Sequence, residues 1–121
     1  MIYEGFQILE DLPHTLCRDI ADKHITTEFK PNQAHESLYG VTAEFQVVGY
    51  ANDGQNEGYA VKLLRINAET ETAEALRRLY DAIPVPHITL SLGDGAKAVN
   101  TRYLNFTEIA GRVVTGVFKG F

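Results

Sequence analysis

The sequence predicts an α+β fold: two lobes of mainly antiparallel β-sheet in a pseudo-twofold relation, one or two helices packed outside, and a central cleft. Three observations carry that expectation. Most of the 121 residues fall in β-branched, aromatic or alternating runs. Only one segment, residues 69–83, repeats its apolar residues at helical spacing. The tripeptide His-Ile-Thr occurs twice, at 24–26 and 87–89, each time in a strand-like run followed later by a long apolar strand flanked by glycines.

Along the chain, "MIYEGFQIL" reads as a first strand with Ile2, Phe6 and Ile8 on one face. "DLPHTLCRDIAD" reads as a short helix or an irregular turn, with Asp11 as a cap and Pro13 in the first turn. A strand over residues 23–29 follows and ends in the turn-rich "KPNQAHES". "LYGVTAEFQVVGY" is a strong strand, and the loop chemistry of "ANDGQNEG" turns it back into "YAVKLLRI" as a hairpin.

"ETETAEALRRLYDAI" is the helix. Ala73, Leu76, Leu79, Tyr80 and Ile83 lie on one face, acidic residues crowd its start, and "IPVP" stops it. A strand over 85–92 follows at once. "GDGAKA" is a loop, "RYLNF" a short strand, and "EIAGRVVTGVFKGF" a last strand with glycine bends.

Composition narrows the function. One domain over 1–121 is the simplest division for this length. No basic-then-apolar leader and no long apolar run occurs, and Cys17 stands alone. The expectation is a cytoplasmic protein with no membrane partner. A net charge of −5 without a Lys/Arg run disfavours a grip on long duplex nucleic acid. A nucleotide or an RNA end, held by a few local cations, remains compatible. The sequence leaves the oligomeric state open.

The chemistry resides in the triplets. Residues i and i+2 of a strand share a face, so His24 sits beside Thr26 and His87 beside Thr89, while Ile25 and Ile88 point into the opposite layer. Two imidazoles and two hydroxyls meeting in one groove would suit a phosphodiester. One ring acts as general base and the other as general acid, and the hydroxyls hold the non-bridging oxygens. That scheme calls for no metal and no cofactor. Tyr39 is a candidate to stack on a base, the alternative being burial in the core or a turn. Lys30 is a candidate to attract a phosphate, the alternative being a solvated side chain. His14 and His35 read as surface histidines, either of which could join a nearby carboxylate in a metal site. "GDGAKA" lacks the Lys-Ser/Thr of a phosphate loop, and no His-x-His of the histidine-triad hydrolases occurs.

The paired His-Ile-Thr strands resemble the two motifs of the two-histidine (2H) phosphoesterase superfamily, in a compact form like its phage-type or RNA-repair-associated members. "PHITLSL" matches the second motif fully, whereas "KHITTEF" has Thr27 where an apolar residue is usual. The resemblance implies a two-lobed fold and a hydrolase: a metal-independent phosphodiesterase opening a 2′,3′-cyclic or a 2′–5′ phosphodiester of a short nucleotide or RNA end. His24 and His87 would be the acid/base pair, and Thr26 and Thr89 the phosphate-binding hydroxyls. By analogy His87 would activate the water and His24 protonate the leaving oxygen. The alternative is a non-catalytic module of the same fold that binds a nucleotide or RNA end.

Overall fold

The computed structural model describes all 121 residues. The strands are β1 (Tyr3–Ile8), β2 (Arg18–Asp19), β3 (His24–Phe29), β4 (Thr42–Asn52), β5 (Asn56–Asn67), β6 (His87–Leu92), β7 (Thr107–Glu108) and β8 (Val113–Gly120). One α-helix, α1, spans Thr70–Asp81, and 3-10 helices span Glu36–Leu38 and Ala98–Tyr103. This is the α+β architecture that the sequence predicts.

All strands join one antiparallel sheet in the order β2-β6-β5-β4-β8-β1-β3, with β7 added to β4. The order explains the two lobes. β6-β5-β4 on one side and β3-β1-β8 on the other are related by a pseudo-twofold between the central pair, β4 and β8. These two strands lie in the segments whose sequences echo one another. The sheet curls so that β3 and β6 approach with Cα atoms within 8 Å, although no ladder joins them.

Alternation places Phe6, Ile25, Phe45, Phe118 and Ile88, all fully buried, on the core face. Phe6 packs edge-on against Phe45, with ring centroids 5.0 Å apart, and lies 5.3 Å from Phe118. Helix α1 closes the core with Leu76 and Tyr80, and the Tyr80 hydroxyl donates to the Val61 carbonyl. Burying Leu76 contributes roughly 1.5–3 kcal/mol. The Glu69 carboxylate caps the helix by accepting from Thr72 N at 2.9 Å.

Of the two alternatives for residues 11–22, the irregular turn forms, and two other local expectations change. No helix forms between residues 11 and 22, because side chains of the far strands take its backbone donors: Thr15 N donates to Glu57, and Leu16 N to Ser91 Oγ. The segment runs irregularly and adds only β2. "RYLNF" is not a strand. Arg102 and Tyr103 end the second 3-10 helix, with Asn100 N bonded to Lys97 O and Leu104 N to Thr101 O. Ile2 is 59% exposed, since β1 starts after it, and Glu4 takes the next core-facing position with no exposure at all.

Candidate functional site

The two halves are built from one device. On β1, Glu4 and Gly5 stand opposite Glu28 and Thr26; on β5, Glu57 and Gly58 stand opposite Ser91 and Thr89. Each pairing skips one residue, Thr27 on β3 and Leu90 on β6, so each motif strand carries a bulge directly after its threonine. Thr27 and Leu90 are therefore equivalent. The Thr27 hydroxyl donates to the Glu4 carbonyl at 3.1 Å, which accounts for a polar residue at a position where Leu90 is fully buried.

Both glutamates are buried, and both are held by hydroxyl and backbone donors. Glu4 accepts from the Tyr39 hydroxyl at 2.6 Å and from His35 N and Nδ1 at 2.7 Å each. Glu57 accepts from the Tyr50 hydroxyl, Ser91 Oγ, Thr15 N and Thr15 Oγ1. Burial alone would push both carboxyls up, yet these donors hold both below the ordinary glutamate range. Each glutamate fixes the strand beside a motif.

The imidazoles are also matched. His24 Nδ1 lies 2.7 Å from the Asp22 carbonyl, and His87 Nδ1 lies 2.7 Å from the Val85 carbonyl. A carbonyl oxygen only accepts, so Nδ1 carries the proton in both neutral rings and Nε2 is the free lone pair. Neither Nε2 has a protein partner, and no buried side-chain nitrogen or oxygen lacks one, so both reach solvent. Both rings are half-buried. Desolvation lowers the pKa of each; the charge on His87 lowers His24 further, and that of Arg102 lowers His87 further. The strands that carry the two rings, β3 and β6, approach with Cα atoms within 8 Å. Tyr3 stacks on the His24 ring at 4.5 Å, with Phe121 stacked in turn on Tyr3 at 4.5 Å.

The other expected residues divide. Thr26 is half-buried beside His24, and its hydroxyl has no protein partner. Thr89 lies beside His87, but it is only 8% exposed and its hydroxyl bonds Thr101 Oγ1 at 2.9 Å. Asn56 Nδ2 donates to the same Thr101 oxygen at 3.0 Å. Tyr39 is not brought to the imidazoles. It sits on the core face over Phe118 and spends its hydroxyl on Glu4; desolvation first, and then that bond, push its pKa up to about 12. Lys30 is also elsewhere: six residues beyond His24 on an extended strand is ~20 Å, and its ammonium lies over the Phe29 ring at 5.5 Å.

Of the other two histidines, His14 lies 3.4 Å from Asp19. His35 joins Glu4 and Glu28 in a group whose ligand atoms lie within 4.8 Å of one another and could hold a metal ion. Glu4 and His35 are bonded to each other there. Sequence reasoning missed Glu4, Glu57, Gly5, Gly58, Thr101 and Arg102. The repeated Glu-Gly dipeptide, each two or three residues into a strand, was the available signal.

No helix is long and apolar enough to cross a membrane. No family model matches the chain, and no curated protein or solved structure matches it.

Proposed function

We propose that this protein is a phosphodiesterase acting on a cyclic or 2′–5′ phosphodiester of a short nucleotide or RNA end, with His24 and His87 as its acid/base pair. The observation that carries this reading is the matched pair of rings: both Nδ1–H groups donate to the carbonyl two residues upstream, and both Nε2 atoms are left free on neighbouring strands. Because two imidazoles supply both proton transfers, the scheme needs no metal.

Repulsion between the two rings opposes a second protonation, so the working site carries one proton. For hydrolysis one ring is then the base and the other the acid, with His87 as base and His24 as acid by analogy. His87 Nε2 takes a proton from water as the water oxygen bonds to phosphorus. The bond from phosphorus to the ribose oxygen breaks, and that oxygen takes the His24 Nε2 proton, leaving a phosphomonoester. Proton exchange with solvent resets the rings. In this reading the unpartnered Thr26 hydroxyl donates to a non-bridging oxygen.

One observation favours the second reading, a binding module without turnover: the Thr89 hydroxyl is occupied by Thr101. Incubation in EDTA with 2′,3′-cyclic nucleotides, cyclic dinucleotides and 2′–5′ oligoadenylates separates the two. Turnover supports the enzyme. Binding across the panel with no product supports the module.

A further inference from the structure

A second feature adjoins the imidazoles. The second 3-10 helix is tied to the His87 strand through Thr101, whose hydroxyl bonds Thr89. Thr101 is fully buried, and a Cβ on Gly58 would come within 2.5 Å of its methyl group. The helix is therefore seated rigidly against β5 and β6. Its next two residues are Arg102, whose charge acts on His87, and Tyr103.

The Arg102 guanidinium lies 4.8 Å over the Tyr103 ring, and its Nη2 donates to the Tyr103 hydroxyl at 2.6 Å. Tyr103 is nonetheless 68% exposed, so its other face is open. It lines a cleft of about 470 Å³ between the end of β4 and residues 103–107. That volume is in the ~300–1,000 Å³ range of small-molecule sites.

The opposite wall is a stiff turn. Asn52 Oδ1 accepts from Gly54 N, and Asp53 Oδ1 accepts from Gln55 N and Asn56 N. The exposed Asn105 amide has no protein partner and can both donate and accept.

We propose that this cleft is a nucleobase site: a base stacks on the open face of Tyr103, opposite Arg102, and Asn105 bonds its edge, while the attached phosphate extends toward His87. The inference rests on the reading of His24 and His87 as a phosphodiester site, and it names the part of the ligand that this site would hold. An aromatic ring backed by a guanidinium suits a flat π-system and tolerates any of the four bases. An open amide reads donor and acceptor groups along one edge.

The test is a titration with adenosine, guanosine, cytidine and uridine 3′-monophosphates, and with ribose 5-phosphate as a base-free control, followed by amide NMR. Wild type, Tyr103→Ala, Asn105→Ala and the His24→Ala/His87→Ala double variant are compared. Tyr103 and Asn105 are exposed, so their truncation leaves the core intact.

At least one nucleotide should shift amides of residues 50–53 and 103–107, and it should bind the histidine double variant there as well. Tyr103→Ala should weaken nucleotide binding about 10-fold and leave ribose 5-phosphate unaffected. Nucleotide binding no tighter than ribose 5-phosphate, or unchanged in Tyr103→Ala, would overturn the base site even if turnover proceeds. Base-dependent binding in the cleft without any turnover would keep this site and remove the catalytic reading.

Discussion

Gly5 stands directly across from Thr26, and nothing larger fits there: a Cβ on Gly5 would lie 2.2 Å from the Ile25 carbonyl oxygen. Gly58 faces Thr89 under the same constraint, with the Ile88 carbonyl oxygen at 2.9 Å. Each motif threonine is thus set by a close backbone approach that only glycine allows. Gly5→Ala is expected to force β1 and β3 apart and cost about 1–3 kcal/mol in urea denaturation, as overpacked sites do. Unchanged stability would show that the bulge is not under that constraint.

The buried glutamates predict an acid-sensitive fold. Their folded-state pKa values lie below the ordinary 4.5, so the unfolded chain binds protons more readily. Their contribution is complete above about pH 4.5 and is lost as pH falls through the folded values. Glu57→Gln should lower stability at pH 7 and flatten its fall between pH 5 and about 3. A variant as acid-sensitive as wild type would assign that fall to other groups.

Thr101 links Thr89 and Asn56 across the base of the 3-10 helix. Thr101→Val keeps the volume and removes the oxygen, so Asn56 Nδ2 keeps only the Lys97 carbonyl and Thr89 Oγ1 only the Ala98 carbonyl at 3.5 Å. A loss of about 1–3 kcal/mol is expected. Thr101→Ser, which restores the oxygen, should recover most of it, and thermal unfolding of the pair measures the difference.

On a substrate that is turned over, His24→Ala and His87→Ala should each lower kcat by roughly 10²–10⁴. Desolvation lowers both rings from the ordinary 6.5, so the singly protonated site is populated below that value. The pH profile of kcat/KM should therefore be bell-shaped with its maximum on the acid side of 6.5. A maximum above pH 7.5, or full turnover by either alanine variant, would remove these two residues from the proposed roles.

Much of this architecture was legible because period-two alternation is a direct readout of which face is buried. It placed Ile25 and Ile88 inside and the motif residues on the other face, and helical spacing located α1 to within two residues at each end. Long-range hydrogen bonding was not legible. "NEG" reads as loop chemistry from its residues, yet Asn56, Glu57 and Gly58 begin β5, because Glu57 finds four donors from residues far apart in the chain. Tyr39 and Lys30 are near His24 in sequence, but the strand between them carries Lys30 away and the sheet separates Tyr39 from the imidazole face. Arg102 could not be found by proximity to either motif. Long-range bonds from Thr89 and Asn56 to Thr101, and from Asn56 to the Lys97 carbonyl, bring it there.

The most direct test of the paired-histidine site needs no substrate. In ¹⁵N-imidazole NMR, both neutral rings should be Nδ1–H tautomers, and the His24 pKa should rise in His87→Gln, where the neighbouring charge is gone. An Nε2–H tautomer at either ring, or a His24 titration unchanged in His87→Gln, would contradict a shared acid/base site.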